Sequence, residues 1–234
     1  SKTLAQIDNI ATEAIAYPAT PGAQVLVVKN GTVIFNKSYG HYTYDKKKPV
    51  TNNTVYDIAP ITKVAATLQA VMFLKDQGKI NLDEKVATYL PELKGTNKAN
   101  LVIRDVLAHQ SGLRAGIPHW QKTLDKLQLN QTFYASAQND VFPNEVVPGI
   151  YSIKSMEDSL WAWTVRSPLL TKPKAAKTYE YQYSDLGFYI LKRMSERMLN
   201  QPLNEFMDQN FYGPLGLSTM TYNPLLKHSR DVIV

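Results

Sequence analysis

Apolar residues fall first on a helical stripe, Leu4, Ile7, Ala11, Ala14 and Ile15, which predicts an opening helix over Thr3–Ala16 stopped by Pro18. The period then changes to that of strands. The β-branched runs Ala23–Val28 and Thr32–Asn36 flank Asn30-Gly31, a pair that readily takes the left-handed angles of a tight hairpin. From Thr62 to Asp76 the helical period returns with Val64, Ala65, Leu68, Val71, Met72 and Leu74, and Gly78 supplies the stop. Short helices follow, one opened by Leu82–Val86 and ended near Pro91, another from Ile103 to His109 closed at Gly112. Ser184 is placed to cap a helix running to Leu199, with Leu186, Tyr189, Ile190, Met194 and Met198 facing inward. A last helix, Leu203 to Phe211, runs into Gly213-Pro214-Leu215-Gly216-Leu217.

Between Gly116 and about Lys177 the pattern is weak. This stretch holds Trp120, Trp161 and Trp163 and prolines at 118, 143, 148, 168 and 173, and it reads as a long excursion with helices around Lys122–Leu129 and Met156–Val165. Excursions of this length usually serve binding, although packing by the aromatics explains the composition equally well. The order helix, hairpin, helical body is that of an α+β chain with too few strands for a whole sheet.

Composition narrows the function classes. With 234 residues, 44% hydrophobic and 20% charged, the chain can build a real core, and no apolar run reaches the length of a membrane-spanning helix. Cysteine is absent and the four histidines show no metal-ligand spacing, so neither a metal nor another cofactor is expected. The net charge of +6 gathers at Lys46–Lys48 and at Lys172, Lys174 and Lys177, without interleaved stacking aromatics. A solvated face explains it better than nucleic acid does.

One constellation carries chemistry. Tyr56-Asp57-Ile58-Ala59-Pro60-Ile61-Thr62-Lys63 resembles the segment that holds the Ser-x-x-Lys motif of penicillin-binding proteins and serine β-lactamases. Val106-Leu107-Ala108-His109-Gln110-Ser111-Gly112-Leu113 resembles that family's Leu-Leu-x-His-x-Ser-Gly-Leu segment, and Tyr183-Ser184-Asp185-Leu186-Gly187-Phe188 resembles its Tyr-x-Asn block. Phe211–Leu217 resembles a family stretch in which Pro-Leu-Gly follows a helix. The four segments keep the family's order, closest to the class C β-lactamase, D-aminopeptidase and esterase branch. The resemblance implies a β-lactamase/transpeptidase-like fold, an antiparallel sheet with a packed helix plus a mostly helical subdomain. It also implies acyl-transfer chemistry on a peptidoglycan, peptide or ester-type ligand, in the periplasm or outside the cell.

In that chemistry a serine attacks a carbonyl, a neutral lysine one helical turn on takes its proton, and the tyrosine relays protons to the leaving group. Carried over, Lys63 and Tyr183 are the remnant catalytic pair, and Pro60 stands at the nucleophile position. Proline has neither a hydroxyl nor a backbone N–H, so nucleophile and one oxyanion donor are both missing. No Ser-x-x-Lys occurs elsewhere, and Thr62 points from another face of the helix. Proline suits a first helical position, with Ala59 extended before it. Asp185 replaces the usual asparagine amide with a carboxylate, expected to pair with Lys63, keep it charged and contribute to the ligand site.

Blander readings stand beside these: Lys63 as a surface lysine, Tyr183 as a core tyrosine, His109 and Ser111 as a helix terminus and turn. The resemblance further implies that residues 1–234 are a single domain short of its C-terminal part, residues 1–56 giving helix and hairpin and 57–234 the helical part. A second chain or domain would then complete the sheet, since the hairpin otherwise leaves an edge unpaired. Three functions follow as alternatives. They are an impaired hydrolase domain serving as a ligand-binding or accessory module of a cell-wall or glycan-processing protein, an active hydrolase with another nucleophile, and a purely structural domain.

Overall fold

The computed structural model describes residues 2–234. The chain divides into two compact units, one of residues up to Ala59 together with Tyr212–Val234, the other of Pro60–Phe211.

The first unit begins with α1 (Lys2–Ala16), followed by β1 (Gly22–Lys29) and β2 (Thr32–Gly40). Asn30 and Gly31 both have positive φ, 51° and 75°, the pair of left-handed residues that a two-residue hairpin turn needs. Lys29 pairs with Thr32 across that turn, and a bulge at Val27/Val28 restores the register to Gly22 opposite Gly40. The apolar stripe of α1 lies partly covered, and Asp8 on this helix accepts hydrogen bonds from Lys37 Nζ and Tyr39 Oη of β2, each at 2.8 Å. Near the end of the chain Val55 and Ile233 form a parallel bridge, with Val234 N donating to Val55 O at 3.0 Å. β1 and β2 make a two-stranded sheet whose Leu26, Val28 and Val33 are exposed.

The second unit is built around a buried helix. α7 (Asp185–Leu199) packs on α2 (Leu68–Asp76), α3 (Val86–Tyr89), α4 (Ile103–Leu107) and α8 (Leu203–Met207). Leu186, Ile190, Leu191 and Met194 of α7 are fully buried with Leu74, Leu90, Leu93 and Ile103. Each such side chain contributes on the order of 2 kcal/mol of hydrophobic stabilisation. The expected inward set holds for Leu186, Ile190 and Met194, while Met198 is only partly covered. Tyr189 departs from it. Its ring is 48% exposed, because a phenol tolerates water at one end and lines a cavity instead of filling the core.

The excursion is where local pattern and structure part. Met156–Arg166 forms the expected helix, α6. The helix expected over Lys122–Leu129 is instead α5 (His119–Lys122) and a miniature hairpin of β3 (Leu124–Asp125) and β4 (Gln128–Leu129). Lys126 and Leu127 turn that hairpin with φ of 47° and 68°, a conformation that neither residue type announces. A three-stranded sheet, β5 (Tyr134–Ala135), β7 (Ile150–Ser152) and β6 (Asn144–Val147) in spatial order, was also outside the expected pattern. No helix among the described residues is long and apolar enough to cross a membrane.

Candidate functional site

The helix that carries Lys63 opens irregularly. Pro60 is exposed, and Lys63 N donates to its carbonyl at 3.0 Å. Lys63–Thr67 then form a π-helical turn before α2 continues, a wider turn that recurs at functional sites. Ala59 is not extended, as a residue before proline prefers to be, but left-handed with φ 44°. The Asp57 carboxylate accepts the Ala59 N–H at 2.7 Å, closing an Asx turn that offsets the unfavourable angle.

Three of the sequence-predicted residues of this unit meet at Lys63. Its ammonium lies 2.6 Å from Asp185 Oδ1, with the lysine side chain 17% and the aspartate 45% exposed. The Tyr183 ring centroid is 5.0 Å from Nζ and that of Phe188 5.9 Å, so a carboxylate and two π-faces surround the charge. Burial pushes the lysine pKa down, but hydrogen bonds from Lys63 to Asp185 and Tyr183 outweigh it and the net direction is up. Lys63 is therefore a stable cation at neutral pH, the opposite of what a proton acceptor requires.

The segment around His109 holds the other half of this arrangement. His109 leaves α4 with φ 57°, and its carbonyl accepts the Gln182 N–H at 2.8 Å. Its Nδ1 accepts the Ser184 N–H at 3.1 Å, which puts the imidazole proton on Nε2. Burial first, then the Lys63 charge, keep the ring below its usual pKa, with Asp185 opposing. The ring packs 4.6 Å from Tyr183 and 5.4 Å from Phe188. His109 thus positions the Tyr183–Asp185 loop, a role beyond the helix terminus expected of it.

The nearby Ser184 hydroxyl is committed elsewhere. Ser184 Oγ donates to Arg114 O at 2.6 Å and accepts the Gly187 N–H at 3.4 Å, so it caps α7 as expected. Ser111 is buried.

Gly112 secures the same corner. At φ 73°, a Cβ there would lie 2.3 Å from the Tyr179 ring. Gly112→Ala is expected to cost about 2–4 kcal/mol through backbone strain and overpacking, read as a lowered chemical-denaturation midpoint. An unchanged midpoint would mean that the corner repacks freely.

Comparison with known proteins gives this geometry its family. The family model described as "Beta-lactamase" matches residues 7–231. The chain belongs to the beta-lactamase family. Among relatives of this beta-lactamase-family chain is the N-acetylmuramyl-L-alanine amidase of Bacillus subtilis strain 168, 30% identical over 97% of the chain and 48% of that protein. A protein of Escherichia coli K12 provisionally named a D-alanyl-D-alanine carboxypeptidase is 29% identical over 88% of the chain and 44% of its own length. The octameric penicillin-binding protein homologue from Pyrococcus abyssi has the same fold at a TM-score of 0.68, with 19% identity over 99% of the chain and 47% of that chain. The beta-lactamase-family chain therefore spans about half the length of the curated relatives it matches. The fold class read from the sequence, a β-lactamase/transpeptidase-like α+β arrangement, stands.

Proposed function

We propose that this beta-lactamase-family domain binds a cell-wall-type ligand without performing acyl transfer, because Pro60 occupies the place of the attacking serine. The observation that carries this reading is the 2.6 Å Lys63–Asp185 ion pair. A lysine held as a cation by a carboxylate cannot take a proton from a nucleophile, and proline offers none to take. Lys63, Tyr183 and Asp185 then form a remnant site in which the ammonium, the phenol and the free carboxylate oxygen serve recognition. The names of the amidase and carboxypeptidase relatives support a peptidoglycan-type ligand and a location outside the cytoplasm.

The domain serves as an accessory module within a larger cell-wall or glycan-processing protein. The two-stranded sheet with its exposed Leu26, Val28 and Val33 supports completion by further strands from another segment or chain.

Incubation with a fluorescent penicillin and a fluorophosphonate, followed by intact-mass spectrometry, tests the reading. No adduct is expected, whereas soluble peptidoglycan fragments raise the melting temperature of the native chain and not of Lys63→Ala. A covalent adduct on the native chain would make it a working hydrolase with another nucleophile. No shift with any fragment would leave a structural domain.

A further inference from the structure

A cavity of about 370 Å³ lies wholly within the Pro60–Phe211 unit, walled by α6 and α7 with the start of α5 beside them. Its size is that of an ordinary small-ligand site. Leu160 and Trp161 of α6 and Tyr189 of α7 make the wall mainly apolar. Thr164 adds no polar demand, because its hydroxyl already donates to the Leu160 carbonyl at 2.9 Å.

The charged groups differ in what they can still bind. Lys192 Nζ is held by Glu196 at 2.7 Å, with Glu157 at 4.0 Å, and Glu157 is itself 78% exposed to water. Arg193 is less committed. Its guanidinium lies over the Trp161 ring, 4.5 Å from the centroid, and its Nε meets the Glu92 carboxylate at 3.4 Å. Glu92 is shared with Arg197 at 3.3 Å, so neither contact is short. Stacking uses the flat face of a guanidinium and leaves its edge able to donate. Both terminal nitrogens of Arg193 are without a protein partner among the described residues.

A matching ligand brings a planar pair of acceptor oxygens to that edge and lays an apolar body against Trp161, Tyr189 and Leu160. We infer that the cavity between α5, α6 and α7 binds a carboxylate carried on an aromatic or similarly flat apolar body, with Arg193 as the seat of the anion. A cationic ligand would meet the adjacent Lys192 and Arg193 charges and be repelled. A phosphate carries more charge and calls for a second free cation, whereas Lys192 is already held by Glu196. An uncharged apolar molecule would shut the guanidinium edge away from water with no acceptor in exchange, a cost that a carboxylate removes.

The probe is 3-phenylpropionate, titrated against the full chain by isothermal calorimetry and by saturation-transfer NMR. Its neutral twin is 3-phenylpropionamide, and acetate supplies the acid without the ring. Saturable binding in the low-millimolar range is expected for phenylpropionate, with the amide at least about tenfold weaker and acetate not bound. Arg193→Gln should abolish the preference for acid over amide. That preference is a ratio taken on one chain, so a general loss of stability does not imitate the result. Equal binding of acid and amide by the native chain, a preference that survives Arg193→Gln, saturable binding of acetate, or no saturable binding at all would each overturn the assignment. Lys63→Ala should leave phenylpropionate binding unchanged, and its loss there would place the acid at the other cation and overturn the assignment too. None of these measurements depends on covalent labelling at residue 60, so failure here leaves the reading of the Lys63 site untouched.

Discussion

The double variant Pro60→Ser/Asp185→Asn is expected to form a covalent adduct with a fluorescent penicillin at residue 60, with none expected on the native chain. Serine brings both an attacking hydroxyl and a backbone N–H for the developing oxyanion. Position 60 is exposed and directly precedes the helix bearing Lys63, so the new hydroxyl can meet the reagent. The second substitution matters because Asp185 favours the protonated form of Lys63. Burial lowers the lysine pKa, and without the carboxylate that effect loses its main opposition. Pro60→Ser alone should therefore react more slowly than the double variant, because its lysine is the poorer proton acceptor. Equal rates for the two would show that the ion pair does not restrain the base. No adduct in either would show that the pocket has lost more than its nucleophile.

Lys98→Met is expected to stabilise the protein by about 2 kcal/mol at pH 7. Lys98 is fully buried, and its ammonium donates to Asn97 Oδ1 at 3.1 Å and to the Ser167 carbonyl, with no carboxylate partner among the described residues. Burial lowers its pKa from 10.5 to about 8. At neutral pH the folded chain keeps this charge against its environment, at a cost on the order of 3 kcal/mol before its hydrogen bonds are counted. The sign follows from proton binding. Between pH 8 and 10.5 the unfolded chain holds a proton on Lys98 that the folded chain has released, so native stability from this residue rises with pH across that window. The advantage of Lys98→Met should accordingly shrink above pH 8 and be lost before pH 10.5. Lys63, whose pKa is raised, contributes in the other direction, its stabilisation being lost only as pH climbs past 10.5. Urea unfolding of both chains at several pH values measures the difference. A gain independent of pH would mean that packing, and not charge burial, was the cause.

Much of the site was legible because its segments are short and their roles local. Ser184 accepts from Gly187 three residues on, the geometry that makes a serine before an apolar run recognisable as a cap. Asp185 could be assigned to Lys63 because a carboxylate in an amide's place changes the charge wherever the fold brings the two together. The tautomer and anchoring role of His109 were not legible, since they depend on an N–H 75 residues away. The same holds for the conformation of Ala59, where the neighbouring proline argued for an extended residue and the Asp57 carboxylate decided otherwise.

By itself the sequence determined α1, the Asn30-Gly31 hairpin, α2, α6 and α7, because hydrophobic period, caps and turn residues act within a few positions of one another. It also determined that proline, and not serine, occupies position 60. Only the tertiary structure decided that Lys98 is buried, that Tyr189 lines a cavity, and that residues 122–129 turn a hairpin instead of a helix. In each of those cases the deciding partners lie far along the chain, and burial depends on which surfaces finally meet, a quantity that no local pattern contains.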